Sequence, residues 1–398
     1  MVITTIVLFL LYGSLRNSIS FKYLPGKIMR KNFTALRLII ISLLLFINAA
    51  AQTNIRLSRQ QIKSASQKLD SLALAKSGKD LPGCAVSVIY RGKKIYSKCF
   101  GLKNLDTGAK INSNSDFYLA SVSKEFTTMA VMILHDRRLL NYDDPVDKYL
   151  TGLPACCNKI TIRNLMTHTS GLPDYYALLG YNHNFSGITN RDVWNILLKL
   201  DSLNFKPGTK FEYSNSGFVL LSMIVVKVSR QAFGRFMKKN IFDKLGMKNT
   251  LVVNTDTKII KDRAVGYSKD STGQYRIDDY NQYTTGAGGI YSNVNDLYKW
   301  DQGLYTNKLV KRSTLEEAFT RQSLNNGTKI DYGFGWFIGR FKSGMLTGIK
   351  YEYHTGALDG FRNIILRIPQ LRFSCIVLSN SGVQLTEPDI IPGLFFNK

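Results

Sequence analysis

Strand-like patterns lie at the two ends of this chain, and the long stretch between them is helical. Near the start, Gly83–Gly101 (GCAVSVIYRGKKIYSKCFG) reads as a β-hairpin turning at Arg91-Gly92. Near the finish, 350–355, 361–368 (FRNIILRI) and 372–379 (RFSCIVLS) read as further strands. Between them the 3.6-residue period predicts helices over 121–140, 190–200, 216–230, 232–245 and 294–304, and another precedes the hairpin over 55–77. Asn293, after Ser292, predicts the start of the 294–304 helix, with Asp296 in its first turn. No repeat, low-complexity tract or linker divides the chain. The economical solution is α+β: one antiparallel sheet built from N- and C-terminal strands and flanked by helices, with a mostly helical inserted region. At 398 residues and 44% hydrophobic, the chain can bury a large core without staples, and its composition excludes wholesale disorder and a polytopic membrane protein.

The first 51 residues read as a targeting segment. Met29-Arg30-Lys31 precedes an apolar run from Leu38 to Ile47, and Ala49-Ala50-Ala51 fits a small-residue cleavage site before Gln52. Residues 1–28 hold a second apolar stretch, Val2 to Tyr12. Two readings follow: Met29 is the true start of a signal peptide, or 1–51 is an N-terminal membrane segment. Either predicts export, with a single mature domain over 52–398, periplasmic or anchored facing the periplasm. No Cys follows the cleavage site, so no lipoprotein is expected. The formal charge of +25 falls to +19 without residues 1–51, which carry six basic residues and no acids. The positives are scattered, with no basic run or nucleic-acid module, so no nucleic-acid partner is expected. Association with the acidic cell envelope or a membrane fits the charge, but an ordinary basic surface is the preferred reading.

Five cysteines (84, 99, 156, 157, 375) are neither a disulfide framework nor a zinc spacing, and the four histidines form no metal-binding pair. No metal and no cofactor are expected. With a two-residue hairpin turn, Cys84 would face Cys99. In an oxidising compartment that pair could bridge, but two buried free thiols are the reading preferred here. The adjacent pair Cys156-Cys157 has no explanation in the sequence.

The chemistry begins at Ser121-Val122-Ser123-Lys124. Residues i and i+3 share a face of a helical turn, which puts an ammonium beside a hydroxyl. Partial burial and the positive helix end would lower the Lys pKa enough for it to act as a base. Alone this spacing is a weak signal. Two more elements strengthen it. Tyr213-Ser214-Asn215 follows the turn Phe205–Gly208, and His354-Thr355-Gly356 ends a late strand. Tyr213 could carry a proton if nearby cations lowered its pKa, and Asn215 could orient an acyl amide.

These residues resemble the serine β-lactamase and penicillin-binding-protein superfamily, in its class C branch with DD-peptidases and related esterases. SxxK, YxN and a K/H-T-G triplet mark that family in this order. The flanking phrases agree: Phe117–Lys124, Leu165–Leu172 (LMTHTSGL), Leu245-Gly246-Met247, Ala287-Gly288-Gly289 and Tyr332–Trp336 (YGFGW), over about residues 80–380. The resemblance implies that Ser121 is acylated and that Lys124 and Tyr213 share acid and base work. It implies that Asn215 binds the substrate amide and that His354, Thr355, Gly356 and Ala357 line the opposite wall. The oxyanion would rest on the N–H groups of Ser121 and Ala357.

Two departures matter. His354 stands where β-lactamases of this branch carry Lys, and a His of ordinary pKa is mostly neutral at pH 7, which favours a peptidase or esterase over an efficient β-lactamase. Arg362 is the one candidate for a replacement cation, though an ordinary surface role is the preferred reading. After Asn380, Pro388 and Pro392 argue against a closing helix. His168, in THTSGL, reads as a structural loop-holder. Gly333–Gly339 reads as a buried strand and not a dinucleotide loop, and Tyr175, Tyr176 and Tyr181 are weak candidates for a cleft wall. The leading expectation is a serine hydrolase taking a small-molecule or peptide amide or ester. The alternative is a catalytically silent binding or scaffold protein of the same fold.

Overall fold

The computed structural model describes residues 55–397 apart from 181–182, 254, 256–259, 280–281 and 383–384. The targeting-segment expectations for residues 1–51, and the cleft role of Tyr181, lie outside the described residues. From Leu57 onward the chain packs as one unit.

Helix α1 (Arg59–Ser77) starts at a capping box in which Ser58 and Gln61 satisfy each other's backbone N–H groups. Its buried stripe, Ala65, Leu69, Ala73 and Ser77, recurs every fourth residue. Strands β1 (Cys84–Tyr90) and β2 (Lys93–Phe100) are joined by Arg91-Gly92, both at positive φ (51° and 79°), as a two-residue hairpin turn requires. Helix α2 (Ser123–Asp136), α3 (Ile162–Met166), α4 (Asn215–Ser229) and α5 (Val294–Gly303) form the helical middle. Strands β3 (Phe337–Arg340), β4 (Lys350–Leu358), β5 (Phe361–Ile368) and β6 (Phe373–Ser379) then complete the sheet, and α6 (Ile390–Phe396) follows.

The sheet is antiparallel throughout, in the order β3-β4-β5-β6-β1-β2. The N- and C-terminal strands therefore meet in its interior, where Cys84 pairs with Ser379 and Tyr90 with Phe373. β1 is buried along its whole length, as a central strand covered on both faces must be. The edge strand β2 carries Lys93, Lys94 and Lys98, charges that block further pairing.

Three expectations are corrected. Cys84 does not face Cys99. A register shift at Val88/Ile89 sets Cys84 opposite Phe100 and Cys99 opposite Ala85, so strand alternation puts the two thiols on opposite faces. All five cysteines are free, and the Cys156 and Cys157 sulfurs lie 3.8 Å apart. The expected helix over 232–245 is broken by a π turn, Lys238–Phe242. The closing helix does form as α6, because Pro392 falls in its first turn, where a missing N–H leaves no bond unmade. Phe395 and Phe396 of α6 pack on Phe373 of β6, with ring centroids 5.7 and 5.0 Å apart.

Helix α4 is apolar nearly all round and lies in the core beside α2. Among the described residues no single helix is long and apolar enough to cross a membrane.

Candidate active site

Ser121 lies on a 3₁₀ turn, Ala120–Val122, that runs into α2. The helix proper thus starts at Ser123, two residues later than the pattern predicts, and the i, i+3 relation to Lys124 survives across the junction. Ala120, immediately before the nucleophile, adopts φ 49°, a conformation costly for a residue with a Cβ. The surroundings hold it. Strand β4 passes so close that a Cβ on Gly356 would sit 2.1 Å from the Leu119 carbonyl oxygen. The glycine of the third motif is thus needed for the strand to reach the Ser121 turn.

Lys124 is completely buried. Its Nζ donates to Ser121 Oγ (3.0 Å), Asn215 Oδ1 (2.8 Å) and the Ala287 carbonyl (3.0 Å). It also sits over the rings of Tyr213 (4.8 Å) and Phe218 (5.4 Å). None of its three hydrogen-bond partners is a carboxylate. Burial lowers its pKa to about 7, against a smaller upward pull from Asp174. Near neutral pH this amine is half free base, beside the hydroxyl it would deprotonate.

Tyr213 is half-buried and hydrogen-bonded to Ser121. The expectation that cations lower its pKa is corrected. Burial raises it, the Ser121 bond only partly offsets that, and Asp174 raises it further. Tyr213 is therefore a neutral hydroxyl that can pass or return a proton, and Lys124 is the better base.

Asn215, the first residue of α4, is oriented by a residue that sequence reasoning missed. Asp174 Oδ2 accepts from both the Asn215 backbone N–H (2.9 Å) and its Nδ2 (2.8 Å). The amide oxygen is thereby turned to Lys124. Asp174 was visible only as an N-cap one residue after Pro173, and its other oxygen does cap Tyr175–Leu179 through the Tyr176 N–H (3.0 Å).

Ser121, Asn215 and Ala357 line one small recess of about 70 Å³ with Tyr118, Tyr175, Tyr176 and Gln282. Tyr175 and Tyr176 stack at 4.4 Å, and Tyr176 donates to Gln282 (2.8 Å), so these two tyrosines do wall the cleft. Thr355, Gly356 and Ala357 line an adjoining recess of about 310 Å³ with Arg362 and Glu387. Arg362 spends one guanidinium nitrogen on the carbonyls of Asp359 and Phe361, both 2.7 Å away.

His354 does not fit its expected place on the substrate wall. Its side chain is buried at 1% exposure and lines neither recess. Both ring nitrogens are taken, Nδ1 by the Thr355 carbonyl (2.7 Å) and Nε2 by the Tyr332 hydroxyl (3.1 Å). Burial and the nearby Lys124 lower its pKa to about 3. His168, read as a structural loop residue, lies in the same cluster, 4.1 Å centroid to centroid from Tyr213. Within Gly333–Gly339, Phe337–Gly339 belong to β3 and the residues before them turn into it; there Gly335, at φ 75°, leaves no room for a Cβ, which would sit 2.9 Å from the Lys124 carbonyl oxygen. Among the described residues no cluster of three or more His, Cys, Asp or Glu side chains is arranged to hold a metal ion.

Comparison with known proteins bears on the family and the fold. The family model for Beta-lactamase matches residues 69–390. Penicillin-binding protein 4* of Bacillus subtilis (strain 168) is 34% identical over 305 residues, 73% of this chain and 66% of that protein. Protein flp of Staphylococcus aureus (strain MW2) is 26% identical over 311 residues, 75% of this chain and 60% of its own. The chain thus spans less than two thirds of the length of these relatives. The octameric penicillin-binding protein homologue from Pyrococcus abyssi superposes with a TM-score of 0.70 at 26% identity, covering 82% of this chain and 74% of that one. With its sheet, its inserted helices and its three ordered motifs meeting around Ser121, the chain belongs to the Beta-lactamase family and has the serine-hydrolase fold of the penicillin-binding proteins.

Proposed function

We propose that the chain is an exported serine hydrolase that forms an acyl-enzyme on Ser121 and acts on a small-molecule or peptide amide or ester. One observation carries the reading: the buried Lys124 amine, brought to about pKa 7, lies 3.0 Å from the Ser121 hydroxyl. In the free-base form it takes the Ser121 proton as Oγ attacks the carbonyl. The backbone N–H groups of Ser121 and Ala357 receive the oxyanion, and the Tyr213 hydroxyl hands a proton to the leaving atom while taking back the one that Lys124 had accepted, so both groups return to their starting forms. Water then releases the acyl group by the reverse path.

The substrate class follows from charge. His354 is neutral, and the Arg362 guanidinium is engaged by two carbonyls of its own turn. The wall therefore has no cation in the third motif itself, and its Arg362 is already held by its own turn. A hydrogen bond to a β-lactam carboxylate from a charged donor is worth roughly 1.5–3 kcal/mol, so short-chain esters and D-amino-acid amides, which lack that carboxylate, should outrun nitrocefin. Export rests on the signal-like residues 29–51.

The test is covalent labelling of the purified protein with a fluorophosphonate and a fluorescent penicillin. Labelling that disappears in Ser121→Ala is expected. No labelling by any acylating probe, with the fold intact, would refute the reading. Nitrocefin turnover faster than every ester and amide in a substrate panel would overturn the substrate assignment.

A further inference from the structure

Behind the Ser121 recess lies a row of polar groups that the acyl-transfer scheme does not use. His168, Tyr332 and His354 are all buried, at 1%, 0% and 1% exposure. They come from three separate segments. His168 follows α3, Tyr332 precedes β3, and His354 lies on β4. Their hydrogen bonds have only one consistent set of directions. The Ser214 backbone N–H points at His168 Nδ1 (3.1 Å), so Nδ1 must accept and the His168 proton sits on Nε2. At the other end, His354 Nδ1 lies 2.7 Å from the Thr355 carbonyl oxygen, so here Nδ1 must carry the proton and Nε2 must accept. The Tyr332 hydroxyl lies between, 3.2 Å from His168 Nε2 and 3.1 Å from His354 Nε2. It accepts from the first and donates to the second. Each ring nitrogen and the hydroxyl then has a partner, with no donor or acceptor left over.

We propose that His168, Tyr332 and His354 form one positioning unit, a one-way hydrogen-bond chain that locks the two imidazoles in opposite neutral tautomers and ties the backbone between Tyr213 and Asn215 to the Thr355 carbonyl. The proposal rests on the acyl-enzyme reading for its catalytic purpose, though not for its geometry. It serves the reaction in two ways. It fixes the Ser214 N–H, and so the two side chains on either side of Ser214 that face Ser121 and Lys124. It also keeps a second cation away from Lys124. Adding a proton to His354 Nε2 would leave the Tyr332 hydroxyl proton with no acceptor in the chain. The titratable groups facing the row are Lys124, whose charge opposes a proton on either ring, Tyr213, and Glu125, which faces Tyr332. His354 would thus act from behind the wall and not as a substrate ligand, a role different from that of an exposed lysine at the same point of the motif.

The chain has four histidines, which makes a direct test practical. In the ¹⁵N-histidine-labelled protein, long-range ¹⁵N–¹H correlation spectra report the tautomer of each ring, with His135→Gln, His183→Gln and His354→Gln for assignment. The expected result is two rings that stay neutral from pH 5 to 8, His168 protonated on Nε2 and His354 on Nδ1. The opposite tautomer on either, or titration of either within that range, would overturn the proposal. This readout needs no turnover, so it survives even if Ser121 proves unreactive. In Tyr332→Phe, the neutral His354 loses the donor that favours it, so its pKa should rise above that in the wild type. Fluorophosphonate labelling of Ser121 should slow about 10- to 100-fold while still reaching completion. Unchanged labelling kinetics would refute the catalytic purpose, and if the variant does not fold, the wild-type spectra alone decide the geometry.

Discussion

Among the described residues one lysine and one arginine are completely buried, and they meet opposite fates. Arg367, on β5, is wedged between Asp301 (2.8 Å) and Glu352 (2.9 Å). Ser374 adds a bond to Asp301, and Lys350 a second ion pair to Glu352. Those carboxylates outweigh the cost of burial, and the guanidinium is held firmly charged. Lys124 is just as deep but donates to a hydroxyl, an amide and a carbonyl. Its nearest influence from a carboxylate, Asp174, arrives through the Asn215 amide, so desolvation wins and the amine is half neutral near pH 7. Burial alone thus makes neither a staple nor a base. What decides is whether an anion touches the cation.

The sharpest way to break this comparison is to remove each cation. Lys124→Ala should lower kcat/KM by about 10³-fold or more, because the proton acceptor is gone for every substrate. Its thermal unfolding midpoint should fall less than that of Arg367→Ala, since no carboxylate is left uncompensated. Arg367→Ala should do the reverse. It leaves two buried carboxylates uncompensated and should cost about 3–5 kcal/mol in chemical denaturation, with Ser121 labelling retained wherever the fold persists. A smaller effect is expected from His354→Ala, about 10–100-fold in kcat/KM. If that variant proved more damaging than Lys124→Ala, the assignment of the base would be wrong.

The pH profile sharpens the contrast further. Only neutral Lys124 can accept a proton, so kcat/KM should climb about tenfold per pH unit below pH 7 and level off above it. Asp174 pulls the Lys124 pKa up, so Asp174→Asn should move that limb to lower pH while weakening the hold on Asn215. A limb that stays put, or moves up, would show that Asp174 does not act on Lys124.

How much of this could be read from the chain is uneven, for physical reasons. The strands β1, β2, β5 and β6 and the helices α1, α4 and α5 announce themselves through local periodicity. Ser121 and Lys124 are legible because one turn brings them together. Asp174 and Tyr332 were not assigned to the site, because their partners lie 41 and 22 or more residues away and the meeting is arranged by packing. The register of Cys84 was misjudged for a similar reason. One extra residue in β2 leaves no mark in the alternation of a strand as mixed as KKIYSKCF.

The pairing of β1 with β6 has a consequence for when activity can arise. The bond from the Gly83 N–H to Asn380 Oδ1 spans 297 residues, and β4, which presses on the Leu119 carbonyl, is itself made late. A nascent chain that has emerged through Tyr213 already carries the nucleophile, the amine and the phenol, yet lacks the strand that shapes the turn holding Ser121. Reactivity is therefore gated by completion of synthesis. Closing so distant a contact is slow, so a competent nucleophile exists only some time after the chain has left the ribosome.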